Sequence, residues 1–200
     1  MVILVILPFL HWTAGLNEMM KLPEFMSGIE NWMMQSEEQA AELTELFLST
    51  TTVSGLLVNL FMIAVLPALG EEFLFRGVLL KIFRRWTGSI HLAVIISAIL
   101  FSALHLQFYG FLPRFLLGLV LGYLFVWTRS IWVPVIVHFF NNGIAVYAGW
   151  LFARGEIASS ADSFGDTVNS YFIAGSFMLT LLFLLGIRYL EAQKKGSTNE

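Results

Sequence analysis

Three short groups of polar residues interrupt long apolar stretches of the chain and could carry out chemistry. The first is the sequence EEFLFR at residues 71–76. In a helix, Glu72 and Arg76 are i,i+4 neighbours and can pair, whereas Glu71 is rotated by about 100° from Glu72. The arginine neutralises one carboxylate, which leaves Glu71 available as a general base. A purely structural Glu–Arg pair would explain Glu72 and Arg76 but not Glu71.

The other two groups each contain a histidine. His105 lies four residues after Phe101, so both would share one helix face, and His138 lies four residues before Asn142. Two donors on one face, His138 and Asn142, could stabilise the oxyanion of an acyl-transfer reaction. Taken alone, each group has a simpler explanation, as the polar end of a span or as an interhelical hydrogen bond. Taken together, the three groups supply what activation of water and stabilisation of a tetrahedral intermediate require.

The segments that carry these residues are apolar enough to cross a membrane. Apolar residues make up 58% of the 200-residue chain and charged residues 12%, about half the charged fraction of a soluble domain. Because a span needs about 20 mostly apolar residues, the sequence predicts an all-α, polytopic transmembrane helical bundle. Its six spans are expected near residues 1–17, 52–83, 88–108, 111–128, 131–153 and 169–190.

The first span, the segment that follows it and the C-terminal tail are less clear from the sequence than the other spans. The first span could be a signal peptide, but it lacks a basic start and a clear cleavage site, so we favour a retained helix. Residues 35–47 form either an amphipathic helix at the membrane surface or a solvated acidic connector. We expect one transmembrane domain over residues 1–190, with the motif-bearing core at about 52–153, and a disordered polar tail at 191–200.

Basic residues divide unequally between the two faces of the predicted bundle. One face receives most of them, and the positive-inside rule makes that face cytoplasmic, with both chain termini inside the cell. We expect the protein to lie in the cell membrane. The residues on this face are Lys81, Arg84, Arg85, Arg129, Arg188, Lys194 and Lys195, whereas Lys21, Arg114 and Arg154 lie on the opposite face, near its interface.

Composition also limits the partners and the chemistry. The net charge of −3 and the absence of a basic run argue against nucleic acid as a partner. Membrane lipid and a peptide or protein substrate are the partners that we expect. The chain has no cysteine, which excludes thiolate metal sites and cysteine nucleophiles. Gly118 and Gly122 form a small-xxx-small pair, which is typical of close helix packing.

In this order, the three polar groups resemble the motifs of the CAAX-protease and bacteriocin-processing family, also called the Abi family. The matching patterns are EExxxR at residues 71–76, FxxxH at 101–105 and HxxxN at 138–142. Members of this family are polytopic intramembrane endopeptidases, so the resemblance implies hydrolysis of a peptide bond. It covers about residues 66–143, well under half of the chain.

The resemblance implies a role for each residue. Glu71 would activate the attacking water with the assistance of His105, and His138 and Asn142 would stabilise the oxyanion. The Glu72–Arg76 pair would shape the site and neutralise its charge. The family is often described as a metalloprotease family, although a glutamate-activated water without tightly bound metal is also an option. If a divalent metal such as zinc binds, the candidate ligands are Glu71, His105 and His138; the HExxH zinc helix is absent.

Two other classes of function remain open. Glutamate, histidine and arginine within a membrane also form proton relays, so a proton-coupled transporter is one alternative. The chain lacks the inverted repeat that is common in transporters. A non-catalytic immunity or scaffold protein on the same fold is the other alternative, because a fold does not guarantee activity.

Overall fold

The described part of the chain is built from helices. The structure, a computed structural model, describes residues 2–157 and 170–197, and these residues contain no strand. The all-α prediction is therefore confirmed. The helices are α1 (Val2–Glu18), α2 (Ser27–Leu48), α3 (Val53–Asn59), α4 (Leu66–Glu72), α5 (Leu80–Thr87), α6 (Ile90–Ala103), α7 (Phe111–Thr128), α8 (Trp132–Ala153) and α9 (Ser170–Ser197).

Four helical segments in the described residues are long and apolar enough to cross a membrane. They are Val53–Thr87, Phe108–Thr128, Trp132–Ala153 and Ser170–Gln193. Two further apolar helices, Ile3–Glu18 and Ile90–Ala103, are shorter. All six fall where the sequence predicts spans, in a polytopic membrane protein.

Two predictions are wrong: the end of the third span and the disorder of the tail. The third span was expected over residues 88–108, but α6 ends at Ala103, and Leu106 adopts a left-handed conformation with φ of 53°. His105 therefore lies in a turn and not on a helix. The tail expected to be disordered continues α9 as a helix as far as Ser197; residues 198–200 lie outside the described part.

Helices α3, α4 and α5 form one continuous rod of 35 residues, Val53–Thr87. Two π-helical segments, Leu60–Val65 and Phe73–Leu79, join them. The hydroxyl of Thr52 caps the start of the rod by accepting a hydrogen bond from the Gly55 amide, and Gly88 ends it with φ of 67°. Because π-helical turns shift the backbone hydrogen bonds, they change which side chains face the bundle and are often found at functional sites.

Helices α6 and α7 approach each other closely at two glycines. A Cβ atom added to Gly118 would lie 3.1 Å from the Ala98 Cβ and 3.2 Å from the Ala98 Cα, and one added to Gly122 would lie 2.9 Å from a Val94 methyl group. This is the packing predicted for the small-xxx-small pair. The Gly118 carbonyl accepts a hydrogen bond from Arg76 Nη2 of the rod at 3.0 Å.

Helix α1 packs against α7 and α9 as part of the bundle. Its residues Ile3, Ile6 and Leu10 are buried in one cluster with apolar residues of α7. Pro8 lies inside α1, and next to it the Ser176 hydroxyl of α9 accepts a hydrogen bond from the Phe9 amide and donates one to the Val5 carbonyl. Helix α9 thus satisfies backbone groups of α1 beside its proline.

Helix α2 lies across the bundle without burying any of its own residues. The Trp32 ring packs on Phe108 at 5.2 Å, and the Glu37 carboxylate accepts a hydrogen bond from the Tyr109 amide. Residues 35–47 are therefore helical, as the amphipathic interpretation requires. Their location at the membrane surface stays a prediction.

Replacing Gly118 by alanine should destabilise the α6–α7 contact. The added methyl group meets the Ala98 backbone, which cannot move as a side-chain end can. We expect a loss of about 1–3 kcal/mol in the free energy of unfolding, measured by thermal or denaturant unfolding in detergent. Gly186→Ala is the matched control, because its added Cβ meets nothing within 4 Å. Equal stabilities of the two variants would contradict this description of the interface.

Candidate active site

One carboxylate oxygen of Glu72 lies at the centre of the polar groups. Its Oε1 atom accepts hydrogen bonds from Arg76 Nη1 and from His138 Nδ1, each at 2.8 Å. Glu72 and Arg76 are completely buried and His138 is 3% exposed. The Glu72–Arg76 pair predicted from the i,i+4 spacing is present. Its contact with His138 joins the long rod to α8.

The arginine of this network has further contacts. Arg76 Nη2 donates to the Gly118 carbonyl of α7 at 3.0 Å. The Arg76 guanidinium carbon lies 4.9 Å from the centre of the Phe101 ring of α6, within the range of a cation–π interaction. Side chains and backbone from the rod, α6, α7 and α8 therefore meet at one buried ion pair.

Glu71 differs from Glu72 in its surroundings. Its side chain is 30% exposed, and its Oε2 atom lies 3.9 Å from His138 Nε2. This distance is too long for a direct hydrogen bond. The Oε2 atom is itself shielded and makes no hydrogen bond within the described residues. As the helix geometry predicts, the second carboxylate is left without the arginine, and it faces the free nitrogen of His138.

His105 lies beside this site but does not bond to Glu71. Its Nδ1 is bonded to the Phe101 carbonyl at 2.8 Å. The Phe101 ring stands between the two histidines, with its centre 5.2 Å from the His105 ring and 5.7 Å from the His138 ring. His105 thus borders the site from the end of α6.

Asn142 is turned towards the rod. Its Nδ2 donates to the Ile63 carbonyl at 3.1 Å, and its Oδ1 accepts from Asn141 Nδ2 at 3.1 Å. Ile63 belongs to the first π-helical segment. One N–H of the Asn142 amide is therefore used in helix packing, and only the other remains for a ligand.

The candidate metal ligands do not form a metal site. Over residues 2–157 and 170–197, no three His, Cys, Asp or Glu side chains come together in a way that could hold an ion. The geometry brings Glu71 and His138 together, whereas the His105 nitrogen Nδ1 is bonded to a backbone carbonyl. The donor set does not fit a three-ligand centre, and we derive no step through a metal.

Sequence reasoning missed Arg114, which it placed near the interface only as an ordinary charge. Arg114 Nη1 and Nη2 bond to the backbone and side-chain oxygens of Gln107. Its guanidinium lies within electrostatic range of Glu71 and of the His105 ring. Arg114 also precedes Gly118 by four residues, so the two share the face of α7 that meets the site. The sequence feature that could have indicated a role for Arg114 is its isolated charge at the predicted start of an apolar span.

Comparison with known proteins agrees with the motifs. Residues 53–144 match the model of a family described as type II CAAX prenyl endopeptidase, Rce1-like. This range includes the long rod and all the polar groups of the site. The resemblance to the CAAX-protease and bacteriocin-processing family is thereby confirmed over this range.

Three curated proteins are each similar to a part of this chain, over 90 to 100 residues. An uncharacterized 24.3 kDa protein of Escherichia coli is 32% identical over 100 residues, covering 48% of this chain and 46% of the relative. The membrane-embedded CAAX protease MroQ of Staphylococcus aureus is 30% identical over 95 residues, covering 44% and 38%. YpbD of Bacillus subtilis is 29% identical over 90 residues, covering 43% of each.

The matched segments thus span less than half the length of each of these relatives. No solved structure gives a significant match.

Removing Glu72 from the Rce1-like domain should destabilise it strongly. Glu72→Ala leaves the Arg76 charge buried without its partner, and such a change lowers the free energy of unfolding by about 3–5 kcal/mol. The double variant Glu72→Met/Arg76→Met removes both charges and should be more stable than Glu72→Ala. Unfolding in detergent measures both, with Glu24→Ala at an exposed position as the control. A double variant less stable than Glu72→Ala would contradict this account.

Proposed function

We propose that this protein is an intramembrane peptidase in which Glu71 activates water to hydrolyse a peptide bond. The observation that carries the proposal is the pairing of Glu71 Oε2 with His138 Nε2 at 3.9 Å, next to a buried Glu72–Arg76 pair. A separation of this size allows one water molecule to hydrogen bond to both atoms. The Glu71 side chain as a whole is 30% exposed whereas its Oε2 atom is shielded, so the water must enter past the exposed part of this side chain.

The buried hydrogen bonds of Glu72 and Arg76 fix the orientation of the His138 ring. Because Nδ1 of His138 donates its hydrogen to Glu72, the unbonded ring nitrogen is Nε2, the one that faces Glu71. Glu72 thereby fixes both the orientation of the ring and the nitrogen presented to the site, as carboxylates do for functional histidines. Arg76 in turn balances the charge of Glu72.

The chemical steps follow from these positions. Glu71 removes a proton from the water as its oxygen bonds to the carbonyl carbon of the peptide, which forms a tetrahedral intermediate. The C–N bond then breaks, and the proton held by Glu71 passes to the leaving nitrogen. The products are a carboxylic acid and an amine, and Glu71 is again a carboxylate; the new acid then gives its proton to the solvent or to the amine.

Two further residues are assigned by the family resemblance and are compatible with the geometry. The second N–H of Asn142 is available to the oxyanion, and Nε2–H of His138 can join it when the ring carries both protons. His105 uses Nδ1 for the Phe101 carbonyl, so its Nε2 is the nitrogen that could assist the water.

The substrate is proposed at the level of its class. The matched family is described as a CAAX prenyl endopeptidase family, and MroQ is a membrane-embedded CAAX protease. We infer that the substrate is a peptide or protein segment held at or within the membrane. We further propose that the protein lies in the cell membrane with both termini in the cytoplasm, as its basic residues indicate.

Replacing Glu71 by glutamine should abolish hydrolysis while preserving the fold. The amide keeps the size of the side chain but cannot accept a proton from water, so kcat should fall by about 10²–10⁴-fold. The measurement is cleavage of a panel of membrane-associated peptides, including prenylated C-terminal peptides, by the detergent-purified protein, with and without a chelator. Glu24→Gln, at an exposed position, is the matched control and should retain activity.

The same variant separates the competing functions. Unimpaired cleavage by Glu71→Gln would overturn the mechanism. A scaffold protein would keep its cellular phenotype in Glu71→Gln, whereas a peptidase would lose it. A transporter would move protons in liposomes without cleaving any peptide of the panel.

A further inference from the structure

The turn that carries His105 lies between two apolar helices, α6 and α7. Helix α6 ends at Ala103, and Leu106 takes a left-handed conformation that stops the helix. The His105 and Leu106 amides still bond to the Ser102 and Ala103 carbonyls, at 3.3 and 3.1 Å, and the helical hydrogen bonds cease beyond Leu106. In an apolar environment, the backbone groups of such a connection must be bonded by other parts of the protein.

Side chains from three helices bond this connection. Asn17 of α1 bonds to the Phe108 carbonyl and the Leu112 amide, and Glu37 of α2 accepts from the Tyr109 amide. These contacts hold the part of the connection that leads into α7. Gln107, only two residues after His105, is held instead by Arg114.

Arg114 donates hydrogen bonds to two oxygens of Gln107. Nη1 donates to the Gln107 carbonyl at 2.8 Å and Nη2 to its Oε1 at 2.5 Å. A planar guanidinium with two parallel bonds fixes both the position and the orientation of its partner. We call this arrangement the Arg114–Gln107 clamp.

The glycine at position 110 makes room for the clamp. A Cβ atom added to Gly110 would lie 2.6 Å from Arg114 Nη1 and 2.7 Å from its central carbon. The guanidinium therefore lies directly against the Gly110 backbone. A side chain here would displace the guanidinium without removing its charge.

The position of Arg114 on α7 ties the clamp to the rest of the site. Gly118, one helical turn further along the same face, accepts a hydrogen bond from Arg76 through its carbonyl. One helix thus carries Arg114, which bonds to the connection after His105, and Gly118, which bonds to Arg76, about 6 Å apart along its axis. The Arg114 guanidinium also lies within electrostatic range of Glu71 and of the His105 ring.

We propose that Arg114 is a positioning residue for the reaction and sets the place of His105 at the edge of the site through the Arg114–Gln107 clamp. This inference rests on the proposed function, in which His105 assists the attacking water. Arg114 acts through Gln107 and its turn and does not itself touch the reacting atoms. Loosening the clamp should therefore slow the chemical step more than it weakens substrate binding.

Three changes to the clamp test this proposal. Arg114→Gln removes the guanidinium, Gly110→Ala displaces it, and Gln107→Ala removes one of its two bonds. Because small misplacements of a catalytic group are costly, we expect kcat to fall by about 10- to 100-fold in the first two variants, with KM changed by less than about twofold. Gln107→Glu, which keeps the Oε1 contact, should restore activity relative to Gln107→Ala.

A second measurement reports on His105 without any substrate. In protein labelled with isotopes in its histidines, the His105 imidazole signal is identified by its loss in His105→Gln. We expect this signal to shift or broaden in Arg114→Gln and Gly110→Ala. Two matched controls, Arg85→Gln at an exposed position and Gly28→Ala, whose added Cβ meets nothing within 4 Å, should leave both the signal and kcat unchanged.

The outcomes separate this proposal from the one on which it rests. An unchanged His105 signal in Arg114→Gln and Gly110→Ala overturns the clamp, even if stability or KM changes. A shifted signal with an unchanged kcat also overturns it, because His105 would then have moved without consequence. If the wild-type protein cleaves no peptide, the proposed function fails, and the His105 signal still decides whether the clamp sets the position of that ring.

Discussion

The site is organised by a single buried carboxylate oxygen. Glu72 Oε1 receives both the Arg76 guanidinium and the His138 ring, and it does so in a part of the protein that is surrounded by apolar helices. A buried charge is tolerated only where it is paired and hydrogen bonded. The rod, α7 and α8 must therefore stay in register for the ion pair to persist. The same constraint places His138 opposite Glu71.

The local features of this arrangement could be predicted from the sequence. The positions of the six apolar segments and the pairing of Glu72 with Arg76 follow from composition and from i,i+4 spacing within one helix. The separation of Glu71 from the arginine also follows from helix geometry. Each of these depends on residues close together in the chain, for which helical periodicity is a reliable guide.

The contacts between helices could not be predicted in this way. The bond between His138 and Glu72 joins residues 66 positions apart, and sequence spacing instead grouped His138 with Asn142. Asn142 bonds to a carbonyl of a π-helical segment, which no apolar pattern indicates. The left-handed Leu106 ends α6 early, so the expectation that His105 shares a helix face with Phe101 was wrong, although their side-chain contact exists.

The contact of Ser176 with α1 has a consequence for how the chain assembles. The hydroxyl that serves the Val5 carbonyl and the Phe9 amide belongs to α9, the last of the described helices to be synthesised. Lipid tails offer no substitute for such a hydroxyl. Helix α1 therefore reaches the shape described here only after α9 has packed against it, so two helices far apart in the sequence complete each other late in assembly.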